Sequence, residues 1–322
     1  MQRKVLYCGY LLRNIKLNSI FQYAAISVFA CHDVTNVKKG NTMRSLLVVV
    51  FIIFLTSCSS KLAYNNLDWW VYWYMDDYIE LKDEQEEKFD AHLQNWLSWH
   101  KKSELTRYKA QLEDIRKQIQ NDTLNSSIVY NNLELARSHW ERVRDEVSPE
   151  LAAIAKTLDD EQVVTLFAAL EKDNKEEEEE RQEALDKPEA QRLKDRIERI
   201  EETISERIGR LNDEQKQIVS TYAQQFISTG DAWLVYRRNI QNAARKLFVT
   251  RRQNEQFEEE LVALMQNPDD YKSEIYKQSS AHNMTVTATL LAEIFSTLSE
   301  KQRKTLVENV DELIETVDNF KR

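Results

Sequence analysis

The residues whose types and spacing most directly imply a chemical event are Leu55-Thr56-Ser57-Cys58. Arg44 supplies a positive charge, Leu46 to Leu55 form an unbroken apolar run of ten residues, and two small residues then precede a cysteine. That order is a secretion signal ending in a lipobox. Its chemistry is coupling of the Cys58 thiol to diacylglycerol, then cleavage that leaves Cys58 as the acylated first residue. Ten apolar residues suit a signal and fall short of the ~20 that span a bilayer. The alternative is a buried apolar strand or helix that happens to end in cysteine. The next residue, Ser59, is not the Asp that retains enteric lipoproteins at the inner membrane. The expected location is therefore the outer membrane, facing the periplasm.

The signal begins at Met43, not at residue 1. Residues 1–42 hold Cys8, Cys31 and His32, a basic tint and a weaker apolar patch from Phe21 to Ala30. The economical reading is translation from Met43, with 43–57 as signal peptide and 58–322 as the mature chain. A genuine cytoplasmic extension is the alternative. Residues 1–57 carry seven Lys or Arg and one Asp, so the mature chain has 37 basic and 53 acidic residues, a net charge of −16. Such a surface is unsuited to nucleic acid or to anionic lipid headgroups. Cys58 is its sole cysteine, which leaves no disulfide within the chain.

Other candidate chemistry is thin. Asp76, Asp77 and Glu80 could bind a divalent cation or act as acid and base, but 53 acids make such clusters easily. His92 and His100 stand eight apart on one helix face, too far for an i, i+4 zinc pair, and His139 and His282 are isolated in sequence. There is no HExxH, GxSxG or CxxC. The sequence thus predicts no catalytic residue, no metal and no cofactor.

The elements that hold these residues read as helices. Beyond the signal only Gly209, Gly230, Pro149, Pro188 and Pro268 remain of the two turn-forming types. Strands need turn residues every ~8–12 positions, and nucleotide loops need glycines, so all-β, P-loop and Rossmann readings fail. Apolar residues from Phe89 to Ile119 recur at spacings of three and four, predicting one amphipathic helix over 83–119. Further helical patterns cover 126–146, 149–157, 159–186, 188–209, 212–249, 268–297 and 299–319, with Pro149 and Pro268 at helix starts. The fold class is all-α, an extended bundle of long amphipathic helices.

A short element recurs four times, as Leu81-Lys-Asp-Glu-Gln85, Leu158-Asp-Asp-Glu-Gln162, Leu211-Asn-Asp-Glu-Gln215 and Leu298-Ser-Glu-Lys-Gln302. Asp159, Asn212 and Ser299 are good N-caps, and the glutamine falls at the third helical position, completing a capping box. Lys82 breaks the pattern, so Asp83 with Glu86 is the expected cap there. The spacings of 77, 53 and 87 residues are not a solenoid period. These elements resemble the LTxxQ motif of periplasmic helical proteins, including Spy-like chaperones. The lipobox followed by Tyr64-Asn-Asn-Leu-Asp-Trp69, Tyr72-Trp73, Asp76-Asp77-Tyr78 and Leu81 is similar to a family of Gram-negative lipoproteins of unknown function. The resemblance implies a location and a helical fold, and no mechanism.

Two segments remain. Tyr64, Trp69, Trp70, Tyr72, Trp73, Tyr74 and Tyr78 begin six residues after Cys58, and on a helix their rings point all round. One reading is an interfacial belt on the bilayer. The favoured one is a central helix buried by the others, with Trp96, Trp99, Trp140 and Trp233 as packing partners. Residues 171–187 hold 13 charged side chains in 17 and predict a solvent-bridging helix. Together these features predict a membrane-tethered, non-catalytic protein that binds other envelope proteins as chaperone or scaffold. The alternative is an envelope enzyme using an unrecognised carboxylate pair.

Overall fold

The computed structural model describes Tyr64 and residues 66–321, and every regular element among them is helical. The lipobox residues Leu55, Thr56, Ser57 and Cys58, the sorting residue Ser59, and residues 1–42 lie outside the described residues. In chain order the helices are α1 (Leu67–Met75), α2 (Asp83–Lys102), α3 (Glu104–Gln120), α4 (Ser126–Lys156), α5 (Asp160–Asp186) and α6 (Glu189–Ile208). Then come α7 (Asp213–Ala223), α8 (Gly230–Thr250), α9 (Phe257–Gln266), a 3-10 turn at Pro268–Tyr271, α10 (Glu274–Ser296) and α11 (Glu300–Lys321).

Several boundaries differ from the periodicity. The predicted 83–119 helix is broken at Ser103, whose backbone (φ −101°, ψ −68°) stays in the right-handed region but departs from regular helical values. Helix α4 runs unbroken through Pro149, which the sequence places at a helix start. An interior proline ordinarily costs ~3 kcal/mol because it removes one N–H and orphans the carbonyl four residues back. Here that carbonyl, of Asp145, accepts from Gln266 Nε2 of α9 at 3.3 Å, so the loss is partly made good. The predicted 212–249 helix divides into α7 and α8 around residues 224–229, and α9 has no counterpart among the predicted patterns. At Pro268 the chain makes only the 3-10 turn, and Ser273 caps α10, its hydroxyl accepting from the Tyr276 N–H.

Antiparallel pairs build the bundle. Helix α3 lies along α11, fastened by Lys109–Asp318 (2.7 Å) and Arg116–Asp311 (2.8 Å) with Ile119, Val310 and Ile314 buried between. Helix α4 lies along α10 through Val129, Leu133 and Ala288, and takes α9 on its C-terminal half. Helix α5 pairs with α8, where Phe167, Phe248 and Phe257 meet edge to face at 5.5 and 5.3 Å. Helices α6 and α7 close the other end around Ile204, Ile208, Val219, Leu290 and Ile294. Each long helix thus turns its apolar stripe inward.

The acidic stretch at 171–187 forms the second half of α5 and continues just past it. Much of its surface is exposed, but its inner side is joined to α8. Arg238 reaches Glu171 (3.0 Å) and Glu178 (2.6 Å), Arg237 reaches Asp173 (3.5 Å) and Glu177 (3.7 Å), and Arg181 reaches Asp231 (2.8 Å). It is less a free bridge than a charged seam.

Candidate functional site

The four recurring elements come together in two pairs. Gln85 and Gln162, 77 residues apart, are both buried, as are Gln215 and Gln302, 87 residues apart. In the first pair Gln162 Nε2 donates to Gln85 Oε1 (2.7 Å) and Gln85 Nε2 donates to Gln162 Oε1 (3.2 Å). Each amide also donates to the carbonyl just before the other element's leucine, Gln85 to Thr157 O (3.0 Å) and Gln162 to Glu80 O (2.7 Å). The second pair repeats the arrangement: Gln302 to Gln215 (2.9 Å), Gln215 to Gln302 (3.1 Å), Gln302 to Arg210 O (3.1 Å) and Gln215 to Thr297 O (3.4 Å).

The same glutamines also close their capping boxes. Gln162 Oε1 accepts from the Asp159 N–H at 3.0 Å, while Asp159 Oδ1 accepts from the Gln162 N–H at 2.8 Å. Asn212 with Gln215, and Ser299 with Gln302, do likewise. At the first element the cap is Lys82, one residue earlier than expected. Gln85 Oε1 accepts from its N–H at 2.9 Å, and the Lys82 ammonium crosses to Asp159, the cap of the paired helix. Asp159 is held below the usual carboxylate range by the Gln162 N–H first and then by Lys82. Every donor and acceptor of the four amides is engaged, as burial requires. The pairs are clamps, each joining the starts of two helices remote in sequence. They sit near opposite ends of α4, one just past its C-terminus and the other beside Ile119, whose carbonyl accepts from Arg303 at 2.8 Å.

An open groove of about 890 Å³ lies over the first clamp and is lined by Lys82, Glu84, Lys88, Asp159, Glu161 and Thr165 among others. Its deeper residues, Gln85 and Gln162, have no hydrogen-bonding capacity left for a ligand.

A second polar network lies between α3 and α4. Glu104 is fully buried at the first position of α3, where a carboxylate also faces the positive end of the helix. Arg142 grips it with two N–H groups (3.0 and 3.2 Å), and Arg107 approaches at 3.3 Å. His139, isolated in sequence, is brought to it. Gln111 uses its amide N–H on the Asn132 carbonyl (2.8 Å), so its oxygen takes the His139 Nε2–H at 2.8 Å. The His139 Nδ1 lies beside both Glu104 Oε2 (3.2 Å) and the Arg142 guanidinium. Burial holds the His139 pKa below its ordinary value against the opposing pull of Glu104. Tyr108 meets His139 edge-on at 4.6 Å and bonds His100 at 3.3 Å, and His100 bonds Tyr64 at 3.0 Å. Burial lowers His100 and pushes the hydroxyls of Tyr64 and Tyr108 up to about 12. The carboxylate is fully partnered, and this network fastens Tyr64 to the bundle.

The predicted carboxylates do not join either network. Asp76 and Asp77 are exposed in the turn after α1. Among the described residues no group of three or more His, Cys, Asp or Glu is placed to hold a metal ion, and no helix is long and apolar enough to cross a membrane.

The aromatic segment departs from the favoured expectation: none of the α1 residues is buried. Tyr64, just before it, is buried and stacks on Phe320 at 4.3 Å. Within α1, Val71, Tyr72 and Met75 pack on Phe89, Leu93 and Ile154, and Tyr72 donates to Asp90 at 2.7 Å. Tyr78 donates to Asp173 at 2.6 Å. Trp69, Trp70, Trp73 and Tyr74 belong to none of the hydrophobic clusters of the described residues, and Trp69 and Tyr74 are exposed. Four more tryptophans sit elsewhere: Trp96 against Phe89, Trp99 beside His100, Trp140 exposed on α4 and Trp233 under Arg237. One face of α1 is docked and the other is outward.

Fold and clamps define an all-helical protein closed by two glutamine pairs. The chain belongs to a family of unknown function, DUF6279, whose model matches residues 77–277 and so spans α2 to α9 with three of the four elements. Neither the curated proteins nor the solved structures yield a match to it.

Proposed function

We propose that this is a lipid-anchored, non-catalytic protein of the outer membrane, facing the periplasm, which works through contacts of its folded surface with other envelope proteins. The anchor rests on Leu55-Thr56-Ser57-Cys58 and the sorting on Ser59. The observation that carries the scaffold form over the chaperone form is the disposition of apolar surface. The stripes of the long helices pack inward, and outside α1 the exposed large apolar residues are spread over α4, α5, α8, α10 and the 224–229 segment: Leu135, Trp140, Val164, Leu185, Ile227, Val235, Val249 and Ile275. Capture of unfolded chains needs a contiguous patch of at least a few hundred Å². A net charge of −16 on the mature chain 58–322 keeps such a surface soluble and selects partners with basic patches. The saturated amides, the partnered Glu104 and the exposed turn at Asp76 and Asp77 support the non-catalytic reading over the carboxylate-pair enzyme.

The test is aggregation of an unfolding client in the presence of the purified protein, alongside crosslinking in intact cells from positions on the acidic face of α5. The scaffold form predicts no suppression at equimolar ratio and discrete crosslinked partners. Suppression at that ratio would restore the chaperone form.

A further inference from the structure

The rings of α1 that join no hydrophobic cluster are sorted by face, Trp69 and Tyr74 exposed and Trp70 and Trp73 half-buried. Trp69, Trp70, Trp73 and Tyr74 lie at spacings of one, three and four, on one side of a nine-residue helix, while Val71, Tyr72 and Met75 dock on the bundle. The tryptophans pack on each other, Trp69 on Trp70 edge to face at 4.8 Å and Trp70 on Trp73 at 6.0 Å. The stripe contains no charged residue, and α1 contains no basic one.

We infer that this tryptophan face seats in the headgroup region of a zwitterionic bilayer, turning the lipid tether into a fixed orientation of the bundle on the membrane. The inference rests on the acylated Cys58 proposed above. Tyr64 is the point at which the chain is fastened to the bundle, by Phe320 and by His100. Six residues separate it from Cys58, which at ~3.6 Å each cannot span more than ~22 Å. The bundle end carrying α1 is thereby confined to the membrane's neighbourhood. Indole combines an apolar body with an N–H donor, which suits it to the boundary between acyl chains and headgroups. Asp68, Asp76 and Asp77, with the net negative charge, disfavour an anionic surface, so seating depends on the rings and not on ionic attraction.

The experiment uses the full protein purified from membranes and reconstituted on vesicles of phosphatidylcholine, with and without bromine on the acyl chains near the headgroup. Bromine quenches indole on contact. The expected result is quenched tryptophan emission that high salt does not relieve. In the Trp69→Gln, Trp70→Gln, Trp73→Gln variant, which keeps four tryptophans, most of that quenching should be lost. Helicity by circular dichroism checks the variant. If the variant fails to fold, the wild-type comparison of shallow with deep bromines still decides, since seating predicts stronger quenching by the shallow ones. A protein acylated at Cys58 whose emission ignores bromine would overturn the inference and leave the anchor standing. Unacylated protein that binds vesicles and is quenched would do the reverse. Absence of both would overturn both. Unquenched but blue-shifted emission in a sedimenting dimer would assign the face to a second copy, and also overturn the inference.

Discussion

Replacing Gln162 with leucine tests whether the recurring elements are clamps. The substitution removes four hydrogen bonds: donations to Gln85 (2.7 Å) and Glu80 O (2.7 Å), and acceptances from Gln85 (3.2 Å) and the Asp159 N–H (3.0 Å). Each is worth ~1 kcal/mol net, but Glu80 is exposed and water can replace its bond. Gln85 stays buried, keeping Thr157 O and the Lys82 N–H while losing one donor and one acceptor partner, which adds ~1–3 kcal/mol. The expected loss is about 4 kcal/mol, with Gln85→Leu costing a similar amount. The double variant strands neither amide, so it should be more stable than the summed single losses by about 2 kcal/mol. Urea unfolding of the unanchored mature protein, followed by circular dichroism, reads all three. Gln215 and Gln302 should give the same pattern. Single losses below ~1 kcal/mol, or a double variant additive within ~0.5 kcal/mol, would refute the clamp and favour amides held available for a ligand.

Acidification gives a second outcome. His100 and His139 have pKa values lowered by burial, so the unfolded chain binds their protons first. The stability they contribute is present above the ordinary histidine pKa of ~6.5 and is lost as pH falls below it, by up to ~1.4 kcal/mol per unit per histidine. Urea midpoints at successive pH values should show this slope in the wild type and a reduced one in the His100→Gln, His139→Gln variant. Gly209 has φ +83° and ψ −170°, a region nearly reserved for glycine, and a Cβ there would touch nothing within 4 Å. Gly209→Ala should therefore cost ~1–3 kcal/mol from backbone strain alone, read as a lowered thermal midpoint. Ser59→Asp should move the protein from outer- to inner-membrane fractions on a density gradient, and an unmoved wild type already at the inner membrane would refute the sorting.

What could be read in the sequence was local. Scarcity of glycine and proline dictated helices, and Asp159, Asn212 and Ser299 announced their starts because a cap and its glutamine are three residues apart. Pairing was hidden for the same reason: capping fully accounts for Leu-x-x-x-Gln, and the partner lies 77 or 87 residues away. A faint signal existed, since Ile154 and Ile294 precede Thr157-Leu158 and Thr297-Leu298 by the same spacing. Pro149 looked like a start because Gln266, which donates to the Asp145 carbonyl that the proline leaves unpaired, is in another helix. Ser103 interrupts a helix with neither glycine nor proline to mark it. His139 looked isolated because Glu104 and Gln111 reach it only through the packing of α3 on α4. Rings on all sides of α1 suggested burial. Only the contacts of Val71, Tyr72 and Met75 reveal which side is docked.

The proposal stands most directly on the N-terminus of the protein as it occurs in the membrane. Mass spectrometry of the protein purified in detergent should find residues 1–57 absent and Cys58 carrying two or three acyl chains, with Cys58→Ser accumulating as uncleaved precursor. An N-terminus at Met1, or an unmodified one produced by cleavage elsewhere, would contradict the anchor and with it the assignment of this helical bundle to the outer-membrane surface.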